Sequence, residues 1–180
     1  MPYGVRSPLR RDAQRNRTAI VEAACDLMMS ERPGVGLPEI ARRAGVGQAT
    51  VYRHFPDRRA LAAAVLTYQL DRLGELVAAT ADQPHAFRIL LREVLTNVVV
   101  MRPLVRLVQE LDPQVRARCQ RRMTTTLAPS LRLAQEHGQV RSDLVPDDLV
   151  LLFQMVNGIA EATGQSAAAI RAIDLALHGL

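Results

Sequence analysis

Gln48, Ala49 and Thr50, followed by Tyr52, Arg53 and His54, are the residues of this chain whose types and spacing could do chemistry. That chemistry is recognition rather than bond-making. Gln can pair with adenine through two hydrogen bonds, and the methyl groups of Ala and Thr can touch thymine. Tyr and His reach phosphate oxygens. Arg53 and, a few residues on, Arg58 add cations to the same neighbourhood. A short polar helix is also an ordinary solvated surface, so what surrounds it decides between the two readings.

The elements that must position these residues are short. Leu37 to Ala44 reads as an amphipathic helix with Pro38 in its first turn, where the missing N–H is harmless. Gly45 is a left-handed stop, Val46 plugs the angle, and a second short helix runs from about Gln48 to Phe55. Val51 and Phe55, four apart, should face inward onto Ile40, Ala41 and Leu27, leaving Gln48, Ala49, Thr50, Tyr52, Arg53 and His54 on outward or flanking positions. Two short helices around a tight glycine turn outline a helix-turn-helix, whose second helix enters the DNA major groove. Ahead of it, Asn16 to Ser30 reads as a helix with Ile20, Ala23, Ala24, Leu27 and Met28 inward, ended by Glu31-Arg32-Pro33-Gly34. Met1 to about Arg11 reads as a polar arm, either a solvated tail or, with Arg6, Arg10, Arg11, Arg15 and Arg17, a phosphate or minor-groove contact.

Charge favours the nucleic-acid reading. The chain carries a net +5 and a pI near 10.2, and every cationic side chain other than histidine is Arg. Residues 1–60 hold 11 Arg and 6 acids (Asp12, Glu22, Asp26, Glu31, Glu39, Asp57), whereas residues 61–180 hold 12 of each. The whole basic excess therefore accompanies the helix-turn-helix, as neutralisation of phosphate requires.

The run Ile40-Ala41-x-x-Ala44-Gly45-Val46-Gly47-Gln48-Ala49-Thr50-Val51-Tyr52-Arg53-His54-Phe55-Pro56-Asp57-Arg58-x-Ala60-Leu61 resembles the DNA-binding signature of the TetR family of bacterial one-component repressors. The strong match covers about residues 15–65; beyond it the likeness is in length and helical layout. The resemblance implies base reading by Gln48, Ala49 and Thr50, and phosphate contacts by Tyr52 and His54. Arg58 falls where members often carry a phosphate-directed Lys. Three positions depart from the pattern: Gly36 replaces a frequent Thr cap, Gly47 a frequent Ser, and Pro38 an Arg that some members aim at a base. Helix three is thus expected to carry most of the readout.

The rest of the chain repeats helical apolar spacing without sustained β-type alternation, so the fold class is all-α with about nine helices. The expected organisation is a helix-turn-helix domain at 1–60 joined to a helical regulatory and dimerisation domain at 61–180. Asp57 should cap a long helix to about Ala79 that spans this boundary without a flexible linker. Further helices are expected from residues 82–84 to before Pro103, over Leu104 to Leu111, over Val115 to His137 with a kink or split at Pro129, over Leu149 to Gly164, and over Ala167 to His178.

By the same resemblance the last two helices, about residues 147–179, should pair in a homodimer, and the core should hold a small-molecule effector. Candidate pocket residues are Phe87, Leu91, Leu95, Met101, Leu107, Met123 and Phe153, each of which also reads as plain core. Gln109, Gln154 or Asn157 could supply polar contacts to a mostly apolar ligand. Cys25 and Cys119 are too few and too distant for a disulfide framework or metal site, and Cys119 among Arg116, Arg118, Arg121 and Arg122 is a weak redox candidate. The chain lacks GxSxG, GxxxxGK[ST], HExxH and paired CxxC patterns, and His85, His137 and His178 stand apart, so no catalytic, metal or cofactor site is expected. An apolar run of roughly 18 residues is also missing, and the expected location is cytoplasmic. The expected function is a sequence-specific transcriptional regulator, a repressor released from a palindromic double-stranded DNA operator by a small, mostly apolar ligand. The alternatives are a non-sequence-specific DNA-binding protein, distinguished by a steep salt slope without site preference, and an enzyme whose site assembles from distant residues.

Overall fold

The computed structural model describes residues 8–29 and 36–179. Among these residues the chain forms nine α-helices and no strand: α1 Pro8–Met29, α2 Leu37–Arg43, α3 Gln48–His54, α4 Arg58–Ala79, α5 Ala86–Val100, α6 Arg102–Gln109, α7 Pro113–Glu136, α8 Asp148–Thr163 and α9 Ser166–His178. They divide into two compact units, Met1–Val65 and Leu66–Leu180.

In the first unit α1, α2 and α3 pack on one another around Ile20, Ala24, Ile40, Ala41, Val51 and Phe55, all at most 2% exposed. The start of α4 adds buried Leu61, Ala62 and Val65. Helix α1 begins at Pro8, so the expectation of a polar arm to about Arg11 and a helix from Asn16 is corrected. Proline is favoured at a first helical position, and the Leu, Arg, Ala and Gln that follow are strong helix formers. Residues 11–15 are all exposed, so they carry no inward pattern that would reveal the helix. The arm at residues 1–7 and the expected stop at Glu31-Arg32-Pro33-Gly34 lie outside the described residues.

In the second unit Phe87, Leu91 and Leu95 of α5 join Leu127 and Leu131 of α7, Leu149 and Val156 of α8 and Ile173 of α9 in one core. Residues 80–85 form turns rather than the expected start of α5. The Gln83 N–H donates to the Thr80 carbonyl at 3.1 Å, and the Ala86 N–H to Gln83 at 3.0 Å. Pro129 does not split α7, which runs unbroken from Pro113 to Glu136. An interior proline costs a helix about 3 kcal/mol. Burial of Leu127 and Leu131 on either side, each about 1.5–3 kcal/mol, offsets that cost. Gly164 at φ +65° ends α8 in the left-handed conformation and lets α9 begin at Ser166.

Candidate nucleic-acid interface and ligand cavity

The turn that aims α3 is a Schellman closure of α2. Gly45 sits at φ +68°, its N–H donates to the Arg42 carbonyl at 3.3 Å, and the Val46 N–H donates to Ala41 at 3.0 Å. Extended Gly47 then caps α3 with its backbone only: its carbonyl accepts from Thr50 and Val51 at 2.9 and 3.3 Å, with no side-chain cap. Gly36 likewise caps α2 without a side chain, and Pro38 occupies its first turn. The two glycine departures noted in the sequence therefore remove a side-chain acceptor from each helix start.

Val51 and Phe55 are the inward side of α3. Gln48, Ala49, Tyr52 and Arg53 are exposed, while Thr50 and His54 are half-buried. Arg58 is exposed at the first position of α4, whose start is capped where the Ala60 N–H donates to Asp57 Oδ1 at 2.7 Å. All seven residues singled out from the sequence thus belong to one unit, with six of them on one short helix. One feature that spacing could not reveal is Arg17 of α1, whose guanidinium lies 5.3 Å over the Phe55 ring.

Among the described residues, ion pairs engage some arginines of each unit. In the first unit Arg15 pairs with Asp12, Arg42 with Glu39 and Arg43 with Asp26. No ion pair among the described residues engages Arg53 or Arg58, so their charge stays available to solvent or a polyanion. In the second unit Arg92 pairs with Asp174, Arg106 with Glu161, Arg122 with Asp71 and Arg141 with Asp143. Arg88 donates to the Gln139 and Leu177 carbonyls, and Arg102 to the Ala160 carbonyl at 2.9 Å. Those arginines serve the fold, several by bonding carbonyls at helix ends, where cations are favoured. Beside Arg106, which donates a hydrogen bond to it, Glu161 is held below the usual carboxylate range.

The second unit holds a cavity of about 280 Å³ that is partly open to solvent. Met101, Met123 and Phe153 line it, as do Gln109, Gln154 and Asn157. Four other candidate pocket residues do not. Phe87, Leu91 and Leu95 lie on the face of α5 that fills the core, while Val94, Asn97, Val98 and Met101 occupy its cavity face. Leu107 is half-buried on α6, but Leu104, Val105 and Val108 are the α6 residues that meet the cavity. Helical spacing marks apolar faces without saying which of two faces meets solid core. The stripe Leu66, Leu70, Leu73 and Leu76 of α4, none of them among the candidate pocket residues, forms another wall. Cys119 also lines the cavity; burial pushes its thiol above the ordinary range despite Arg122 and Arg118, which disfavours the reactive thiolate. Among the described residues no cluster could hold a metal ion, and no helix is long and apolar enough to cross a membrane.

Comparison with known proteins gives concordant matches over both units. The description "Bacterial regulatory proteins, tetR family" matches residues 20–65, and "Transcriptional regulator SbtR-like, C-terminal domain" matches residues 82–180. The chain is 33% identical over 141 residues to the HTH-type transcriptional regulator Mb2274c of Mycobacterium bovis, covering 74% of this chain and 71% of the relative. The crystal structure of a TetR transcription regulatory protein from Mycobacterium vanbaalenii aligns with a TM-score of 0.70 and 31% identity, over 96% of this chain and 99% of its own. The HTH-type transcriptional repressor LfrR of Mycolicibacterium smegmatis is 30% identical over 92 residues, 51% of this chain and 48% of the repressor. A crystal structure of LfrR in complex with proflavine shares the fold, with a TM-score of 0.54 and 22% identity over 92% of this chain and 97% of that one.

Proposed function

This chain belongs to the TetR family of bacterial transcriptional regulators, and we propose that it is a repressor released from a palindromic operator by a small molecule bound in its second unit. The observation that carries the reading is the outward face of α3, where Gln48, Ala49, Tyr52 and Arg53 are exposed, and where no ion pair among the described residues engages Arg53 or the nearby Arg58. In this reading Gln48, Ala49 and Thr50 contact base edges, and Tyr52, Arg53, His54 and Arg58 hold the phosphate backbone. The recognition unit is residues 1–60 or slightly more, and the remaining helices regulate and dimerise.

A palindrome needs two copies of the recognition unit, and α8 and α9 supply a surface for pairing. Leu151 and Met155, one turn apart on α8, are 62% and 43% exposed, and Ile170 and Leu175 of α9 are 38% and 59% exposed. Gly158 continues the α8 face, and a Cβ there would meet nothing within 4 Å, so a partner helix could approach closely. A second copy covering these residues would form an isologous interface and present two reading helices to half-sites about 34–36 Å apart.

Release follows from population shift. A ligand in the 280 Å³ cavity would favour whichever dimer state fits it better, by no more than its differential affinity for the two states. LfrR, a repressor crystallised with proflavine, provides a precedent for ligand binding by a relative.

Selection of binding sites from random duplexes, followed by footprinting and a compound screen for release, tests the reading. The expected result is one protected palindromic site and at least one compound that releases it. Equal affinity for all duplexes, with a steep salt slope, would instead establish the non-specific alternative.

A further inference from the structure

We propose that the cavity takes an amphipathic anion, its apolar body against the Leu, Val and Met walls and its carboxylate on the Arg116 guanidinium. The inference takes from the proposed function only that this cavity holds a ligand.

Charge comes first. Among the described residues three charged side chains line the cavity, the cations Arg72 and Arg116 and the anion Glu93. No ion pair among the described residues engages any of them. The wall therefore carries one positive charge in excess. Arg72 and Glu93 are exposed and keep their hydration, whereas Arg116 is half-buried. A guanidinium does not lose its proton in a protein, so Arg116 is a fixed cation at a largely apolar wall. Its attraction for an anion grows as the surroundings lose water, and so does its repulsion of a cation.

Geometry comes second. Arg116 Nη1 donates to the carbonyls of Gln109 and Leu111 at 2.6 and 2.7 Å, which ties the guanidinium to the turn between α6 and α7. Those neutral acceptors orient the group and leave its charge in place. They also leave Nε and Nη2, which no acceptor among the described residues engages. That edge can meet a carboxylate through two parallel N–H bonds. Gln120 lies one turn further along α7 on the same cavity wall, where its amide can donate to the same carboxylate.

The body of the ligand follows from the rest of the wall. Leu73 of α4, Val98 of α5, Val108 of α6 and Met123 of α7 bring apolar side chains from four helices to one space. Such a surface rewards apolar area removed from water. A small hydrophilic anion would forgo that gain, and a neutral apolar molecule would forgo Arg116.

The test titrates the full chain without DNA, by calorimetry, with octanoate and decanoate, each beside the alcohol and the ammonium ion of the same chain length. For at least one length the carboxylate should bind about tenfold tighter than its alcohol, as a hydrogen bond to a charged group provides. The ammonium ion should bind more weakly than both. Arg116→Gln should remove the preference for carboxylate over alcohol and leave the alcohol bound, whereas a merely structural role would weaken both alike. Arg116→Lys keeps a point charge and loses the two-pronged edge, so the preference should fall by about threefold or more without vanishing. Circular dichroism identifies a variant that does not fold, and the Lys variant then carries the test. An alcohol or ammonium ion that binds as tightly as its carboxylate, a preference unchanged in either folded variant, or no binding by any chain would overturn the inference. Adding operator duplex afterwards separates the two proposals: the expected order of affinities without release supports the ligand class and overturns the effector role.

Discussion

Arg17 of α1 holds its guanidinium 5.3 Å from the centre of the Phe55 ring, and Phe55 is the residue that ends α3. Phe55 is itself 2% exposed and its backbone N–H donates to the Val51 carbonyl at 2.8 Å. One cation on the first helix therefore covers the residue that anchors the end of the reading helix. Exposed cation–π contacts contribute about 0.5–1 kcal/mol. Arg17→Ala should lower the unfolding free energy by about that amount in urea titration, and Arg17→Lys by less. An Arg17→Ala protein as stable as the parent would show that the contact contributes nothing.

The outward residues of α3 and the first residue of α4 should respond differently to substitution. Gln48→Ala or Thr50→Ala should each cost ~1–3 kcal/mol on the selected site and relax preference at one base pair. Arg58→Ala should weaken specific and random duplexes alike and reduce the salt slope by about one. Binding isotherms on both duplexes at several salt concentrations separate these outcomes. Equal losses on both duplexes for Gln48→Ala would remove it from base reading.

The fold and the surroundings of α3 were legible because local rules there agree. Gly45, Val46 and the inward pair Val51 and Phe55 each point to the same turn and the same buried face. The comparisons support the expected all-α class and TetR family directly. The first two turns of α1 were not legible, since Arg11 to Arg15 bury nothing and periodicity needs burial. The cavity was half-legible. Amides such as Gln109, Gln154 and Asn157 stood out among apolar stripes, but α5 has two apolar faces and spacing cannot say which one meets empty space. Pro129 misled for a related reason: a local penalty was visible and the packing that offsets it was not.

The two glycines of the turn have opposite requirements. Gly45→Ala places a side chain at φ +68°, where L-residues are strained, although the new Cβ would touch nothing within 4 Å. That should cost about 1–2 kcal/mol through backbone strain alone. Gly47 lies at φ −70° with open space around a Cβ, so Gly47→Ser adds a cap without strain and should stabilise by a few tenths of a kcal/mol. Thermal unfolding of both variants checks the pair. A neutral Gly45→Ala would mean that the turn relaxes out of the left-handed region.

Leu151 and Leu175 carry the argument for a second copy of the chain. Both are more than half exposed in a single chain, and together with Met155 and Ile170 they place apolar area on adjacent, mutually packed helices. In an isologous interface each residue appears twice, so one substitution acts at two places. Burying a leucine is worth about 1.5–3 kcal/mol, and its loss on both sides about 3–6 kcal/mol, at least roughly a hundredfold in the dimer dissociation constant. Leu151→Glu or Leu175→Glu should therefore shift a dimer to monomer in sedimentation at micromolar concentration. Because both side chains are exposed in the monomer, helix content by circular dichroism should not change. Binding to a palindromic duplex should weaken strongly while binding to an isolated half-site is preserved. A parent chain that sediments as a monomer, or variants that remain dimeric, would remove α8 and α9 as the pairing surface and with them the two-fold geometry proposed for the operator.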